Sequence, residues 1–131
     1  MKVYYDGTPK GYSCIDMGNG PRIRSNINIL TSVSLPENFI GTRSNQRAEY
    51  VALIYALQSI KSYTEYTLLG DCENVVFQML GINKIKDHHL RQLNEIANAI
   101  IQLRGLQVNF DHVDRDNNPA GRYLEKYMKR R

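Results

Sequence analysis

Tryptophan is absent from the 131-residue chain, and cysteine and proline are scarce, at two and four residues. Cys14 and Cys72 lie far apart with no Cys-x-x-Cys spacing, so neither a zinc site nor a disulfide framework is indicated. No apolar run approaches the roughly 20 residues that a membrane-spanning helix needs. Asp6 interrupts the first segment, Met-Lys-Val-Tyr-Tyr-Asp, before any apolar core builds up, so no secretory leader is expected. Repeats, linkers and low-complexity stretches are also missing. These absences lead to the expectation of a reduced, cytoplasmic protein with no membrane partner. What is present is a globular composition, 42% hydrophobic and 23% charged, which excludes disordered and collagen-like chains. The length suits a single domain over residues 1–131.

Seventeen basic against thirteen acidic residues leave a formal charge of +4. A mildly basic small domain is compatible with a polyanionic partner without requiring one. Lys126, Lys129, Arg130 and Arg131 gather at the C-terminal end. A solvated helix end, favourable against the helix dipole, accounts for them without a ligand.

Residues 2–6, rich in β-formers and stopped by Gly7, predict a strand, and Tyr12 to Met17 predict a second, ended by Gly18-Asn19-Gly20-Pro21. Alternation of Ile23, Ile27, Ile29, Thr31 and Val33 predicts a third, half-exposed antiparallel strand, followed by a loop from Leu35 to Arg43. Ser44-Asn45-Gln46 offers capping side chains for a helix running to about residue 62. Residues 65–70 read as a strand, 73–80 as a short helix and 87–104 as a longer one closed by Gly105. Leu106, Val108 and Phe110 alternate as a fifth strand, and Pro119 fits the first turn of a last helix reaching about Lys129. The order βββ-α-β-α-α-β-α implies an α/β domain, a five-stranded mixed sheet with parallel pairs and helices on its faces.

Three acids fall at conspicuous places. Asp6 ends the first strand, Asp71 follows the fourth, and Glu49 lies in the first turn of the first long helix. If strands one and four are neighbours, Asp6 and Asp71 share one sheet edge, and a helix above it brings Glu49 to them. Three carboxylates that close repel unless a cation sits between them, and hard oxygen ligands favour Mg²⁺ or Mn²⁺ over zinc. Such a cluster suits two-metal phosphodiester hydrolysis. Singly, each acid has an ordinary reading: Asp before Gly as a turn, Glu in a first helical turn as a partner of the dipole.

The motifs taken together resemble a type 1 ribonuclease H domain of the reverse-transcriptase-like branch. Tyr5-Asp6-Gly7-Thr8 through Gly11 resembles that family's first strand and glycine turn. Ser44-Asn45-Gln46-Arg47-Ala48-Glu49-Tyr50 with Ala52-Leu53 resembles its Thr-Asn-Asn-x-Ala-Glu-Tyr-x-Ala-Leu helix start. Asp71-Cys72-Glu73-Asn74-Val75-Val76 with Gln78 and Gly81, then Ile85-Lys86-Asp87 with Leu90, resemble the following segments. His112-Val113-Asp114-Arg115 with Asn118 resembles the His-Val-Pro-Arg-x-x-Asn segment. The resemblance runs nearly end to end and in order. It implies metal-dependent cleavage of the RNA strand of RNA–DNA hybrids with two Mg²⁺ or Mn²⁺ ions held by Asp6, Glu49 and Asp71. It further implies that His112 assists proton transfer or product release, and that Ser44, Asn45 and Gln46 approach the nucleic acid in its wide minor groove.

The sequence departs from the family at its fourth acid. Counting from Asn118 places that position at Arg122, while matching Ala120 to the family's alanine places it at Gly121; neither is acidic. Either Arg122 points away or grips a phosphate, or Glu125 or Asp116 substitutes, or the second ion and the activity are lost. The rival functions are then a binding module for hybrid or double-stranded nucleic acid and a same-fold nuclease acting on structured DNA. No basic insertion lies between the helices after Asp71, so substrate grip falls to Lys10, Lys84, Lys86, Arg43, Arg47 and the basic C-terminus, or to a partner. His88-His89 reads as surface, because adjacent helical residues do not face the same way.

Overall fold

The computed structural model describes residues 1–41 and 44–131. Five strands, β1 (Lys2–Thr8), β2 (Tyr12–Asp16), β3 (Pro21–Ser25), β4 (Glu65–Gly70) and β5 (Gln107–His112), form one sheet in the order β3-β2-β1-β4-β5. β1, β2 and β3 pair antiparallel as a meander, whereas β1, β4 and β5 run parallel. The helices are α1 (Asn26–Ser32), α2 (Asn45–Ser59), α3 (Glu73–Met79), α4 (His88–Arg104) and α5 (Pro119–Lys129), with 3₁₀ turns at Glu37–Phe39 and Arg115–Asn117. Among the described residues, no helix is long and apolar enough to cross a membrane.

The mixed sheet and its helices match the expectation, with one correction. The third strand ends at Ser25, and residues 26–32 form α1, a helix that the alternating pattern concealed. Asn26, Ile29 and Leu30 are its buried residues, and positions i, i+3 and i+4 make one helical face. Ser25 starts that helix by accepting from the Asn28 amide. Asn26 also has bonds that only the turned chain can make: its Nδ2 donates to Thr8 O at 2.8 Å, and its Oδ1 accepts from Ser13 Oγ at 2.6 Å. The period-two spacing of Ile27, Ile29, Thr31 and Val33 therefore carries no strand.

The core lies mainly between the sheet and α2. From Ala48 to Leu57 every residue of that helix except Tyr55 is buried, against β1 on one side and α4 on the other. Leu90, Leu93 and Ala97 form the buried stripe of α4, which Asp87 caps through the Leu90 amide at 2.9 Å. Arg104 donates to the carbonyls of Leu57 and Ile60, satisfying acceptors that the end of α2 leaves open. A smaller cluster of Cys14, Ala120 and Leu124 seats α5 on the opposite face of β1 and β2. Val3 and Tyr5 thus serve the α2 face of β1, while Tyr4 and Asp6 serve the α5 face.

Candidate active site

The site forms where the parallel strands end. Tyr4 pairs with Leu69 across β1 and β4, so Asp6 and Asp71, each two residues further on, lie at the same level. Asp71 is just past β4, while Asp6 does not end its strand, because β1 continues to Thr8 in its pairing with β2. Glu49 arrives from the first turns of α2, and Gly7 permits the approach. A side chain at Gly7 would drive its Cβ into the Ala48 carbonyl oxygen. With no Cβ there, α2 lies directly on the strand and the Gly7 amide donates to Glu49 Oε1 at 3.2 Å.

Oxygen atoms of Asp6, Glu49 and Asp71 all lie within 4.8 Å of one another. Asp6 is 4% exposed and Glu49 is 5% exposed. The second oxygen of Glu49, Oε2, is buried with no hydrogen-bond partner among the described residues. Burial, then the adjoining Asp6 carboxyl and its charge, then the charge of Asp71, push the Glu49 carboxyl well above the usual carboxylate range. Asp71 is also raised, first by burial and then by Asp6; the Asn118 hydrogen bond, Arg115 and His112 oppose the rise. An all-oxygen set with an orphaned buried acceptor and unfavourable ionisation fits a hard divalent cation.

Asn118 fixes one side of this cluster. Fully buried, it donates from Nδ2 to the Tyr5 carbonyl at 3.0 Å and to Asp71 Oδ2 at 3.1 Å. Its Oδ1 accepts from the Ala120 and Gly121 amides, capping α5. The His112 ring, at the end of β5, sits with Nε2 3.3 Å from the Asp71 carbonyl oxygen. Arg115 and Lys10 line the same cavity of about 530 Å³ as the three acids, together with Asn45, Cys72, Gly121 and Glu125.

The geometry decides between the two alignments of the fourth acid. A Cβ on Gly121 would lie 3.1 Å from Asp6 Oδ2 and 3.3 Å from Asp71 Oδ2, so Gly121 is the α5 residue that faces the carboxylates. Arg122 lines an adjoining depression with Arg115, Asp116, Gly121 and Glu125, three of which also line the carboxylate cavity, and a further one with Asp16, Pro21, Asp116, Tyr123 and Lys126. Neither Arg122 nor Asp116 is among the residues lining the carboxylate cavity itself. Glu125 does line the cavity, while its Oε1 accepts from Lys129 Nζ at 3.3 Å.

At the α2 N-terminus, Ser44 caps the helix by accepting from the Arg47 amide at 3.3 Å, and Asn45 is exposed toward the cavity. Gln46 is half-buried, its Oε1 accepting from Asn74. Arg47 does not reach outward as a substrate grip. Its guanidinium donates to the Phe39 and Ile40 carbonyls and pairs with Asp87 at 3.1 Å. Arg43 lies outside the described residues. His88 and His89 sit at the start of α4, His88 exposed and His89 half-buried with its ring edge-on to Phe39.

With Glu49 and Asp71 inside it, a family model described as reverse transcriptase-like matches residues 23–127. The chain belongs to the reverse transcriptase-like family. Its fold is that of the type 1 ribonuclease H domain, and solved structures of such domains align with it nearly end to end. Ribonuclease H1 of the halophilic archaeon Halobacterium salinarum matches with a TM-score of 0.69 at 22% identity, covering 99% of this chain and 98% of that one. LC11-RNase H1, solved in complex with an RNA/DNA hybrid, matches at 0.71 and 23% identity, covering 97% and 98%. The N-terminal ribonuclease H domain of a Mycobacterium tuberculosis protein matches at 0.69 and 24% identity, covering 98% and 94%. No curated protein matches the sequence. Asp6 precedes the segment that the family model covers, so its place in the ribonuclease H fold rests on the strand pairing above.

Sequence reasoning singles out the three acids but gives Asn118 and Arg115 no chemical role. Asn118 had a signal, an amide immediately before Pro119 at a helix start, which marks a cap. Nothing local announces its long reach to Tyr5 and Asp71.

Proposed function

We propose that the protein is a metal-dependent endoribonuclease that cleaves the RNA strand of RNA–DNA hybrids. The observation that carries this reading is the trio of Asp6, Glu49 and Asp71 in a ribonuclease H fold, two of them almost fully buried, with Glu49 Oε2 left without a partner among the described residues. The three acids would hold Mg²⁺ or Mn²⁺, in keeping with their all-oxygen donor set. Such ions supply a nucleophilic water at neutral pH and stabilise the charge that develops on the scissile phosphate and its leaving oxygen.

The chain's own groups prepare that chemistry. Asn118 holds the Asp71 carboxylate by one oxygen and leaves the other for a ligand. The Gly7 amide does the same for Glu49, so both acids are oriented before an ion arrives. The His112 ring lies against the Asp71 backbone, where an imidazole can take up or release a proton at the cavity rim. Asn45, Gln46 and the capped start of α2 would meet the minor groove of the hybrid, with Lys10 and Arg115 available to phosphates.

Cleavage of a labelled RNA–DNA hybrid with Mg²⁺ and with Mn²⁺ tests the reading, with Asp71→Asn as the control. RNA-strand cleavage that the substitution abolishes is the expected result, and unchanged turnover in the variant would sink the assignment. Gly121 in place of an acid favours a second reading, a module that binds hybrid without cutting it. Salt-sensitive binding with no cleavage under either ion would establish that reading instead.

A further inference from the structure

Three amide side chains beside the start of α2 form a directed chain. Asn83, after α3, donates from Nδ2 to Asn74 Oδ1 at 2.9 Å. Asn74, in the first turn of α3, donates from Nδ2 to Gln46 Oε1 at 3.0 Å. A side-chain amide has an accepting end and a donating end, and Asn74 uses both. Reversing it alone would set oxygen against oxygen and nitrogen against nitrogen, so the three amides keep one sense together. The polarity passes along the chain to Gln46. Its bond among the described residues uses the oxygen, which leaves Nε2 with its two N–H groups as the terminus.

Gln46 follows Asn45, which lines the carboxylate cavity, and is itself half-exposed. The minor groove of a nucleic-acid duplex is rich in acceptors, purine N3 and pyrimidine O2, and an RNA strand adds the 2′-oxygen. We propose that Asn74, steadied by Asn83, is a positioning residue that keeps the Gln46 amide turned donor-outward, so that this face selects the acceptors of a duplex minor groove. The proposal rests on the hybrid-cleaving reading above. If the amides served only to brace α2 against α3, their loss would lower thermal stability and leave recognition unchanged.

Asn74→Asp separates the two roles. An aspartate there still accepts from Asn83, but it offers Gln46 only an acceptor, so Gln46 turns its Nε2 inward and its oxygen toward the groove. The experiment measures kcat and KM on an RNA–DNA hybrid for wild type, Asn74→Asp, Gln46→Ala and the double variant, with hybrid affinity measured in parallel. KM is expected to rise about tenfold in Asn74→Asp while kcat stays within roughly twofold. In the Gln46→Ala background the same substitution should change KM little, since the amide it reorients is gone. Equal effects in both backgrounds would mean that the substitution acts through its charge or through folding, and the proposal would fall. Wild-type protein that neither binds nor cleaves hybrid would overturn the functional reading itself, and the recognition role with it.

Discussion

Replacing Gly121 by aspartate puts a fourth carboxylate where the backbone already faces two others, and the consequences follow from Coulomb's law. The new Cβ would stand 3.1 Å from Asp6 Oδ2 and 3.3 Å from Asp71 Oδ2, a tight fit that the acidic side chains must yield to by a few tenths of an ångström. At about 5 Å and an effective dielectric near 20, each charge pair repels by about 3 kcal/mol. Proton uptake by Glu49, already raised by burial and by its acidic neighbours, relieves part of that repulsion. Exchanging glycine for a residue with a side chain in a helix returns about 0.5–1 kcal/mol, and an acid in a first turn about as much again. Without metal, the net loss at neutral pH should be about 2 kcal/mol, or roughly 5–10 °C in Tm for a chain of this size. With a divalent ion the sign reverses, because the added charge now attracts the cation. Thermal unfolding in chelator and in Mn²⁺ reads both effects on one sample. A Gly121→Asp variant with a wild-type Tm in chelator, or with no larger Mn²⁺-induced rise than wild type, would refute the placement of Gly121 against the acids.

The metal-free protein should lose stability as pH rises. The native Glu49 carboxyl titrates above its unfolded value, so between those two values the native state binds more protons than the unfolded state, and the slope of stability with pH is negative. Urea midpoints in chelator should fall as pH climbs above the ordinary carboxylate range, flatten in Glu49→Gln and recover with Mg²⁺; a rising midpoint would contradict the raised Glu49. Gly7→Ala forces a Cβ into the Ala48 carbonyl oxygen, so α2 must lift from β1. Overpacking of that kind costs about 1–3 kcal/mol or more, and urea unfolding should show it together with weakened divalent-ion binding. Arg47→Ala should lower stability by releasing Asp87 and the Phe39 and Ile40 carbonyls, yet leave the salt dependence of hybrid binding unchanged. Lys10→Ala should do the opposite, reducing the salt slope by about one with little effect on Tm.

Much of the fold is legible because the sequence obeys local rules where the sheet needs them. Asp87 before Leu90, Asn118 before Pro119 and Ser44 before Asn45 each cap the helix that their side chains announce. The acids are legible for a related reason. Carboxylates at the ends of strands lack a packing role, and Tyr4 opposite Leu69 turns two such ends into one site. The third strand misleads because Ile27, Ile29, Thr31 and Val33 alternate as a strand would, although Ile27 is exposed on α1 and of these four only Ile29 is buried. What settles it is Asn26, whose partners Thr8 and Ser13 are distant in the chain. Arg47 reads as a surface cation near the site, and only the folded position of Asp87 shows it to be a brace. The sequence leaves the fourth position open between Arg122 and Gly121 because counting residues cannot tell which way a helix turn points; in the fold the Gly121 backbone lies against Asp6.

Asn118 shows why the fold and the site cannot be separated here. Its nitrogen ties the Tyr5 carbonyl in β1 to the Asp71 carboxylate beyond β4, and its oxygen begins α5. One buried amide thus sets the spacing of the two strand ends, the orientation of an acid and the placement of the helix whose Gly121 closes the cavity. Buried amides are costly unless each donor and acceptor is used, and Asn118 uses both ends. The helix it starts places its N-terminal turn, through Gly121, against the carboxylates of Asp6 and Asp71. Glu49 Oε2 has no hydrogen-bond partner among the described residues, and burial and its acidic neighbours raise that carboxyl. The site therefore divides its labour: Asn118 holds one oxygen of Asp71 in place, and Glu49 is the raised carboxyl whose charged form a bound cation would favour.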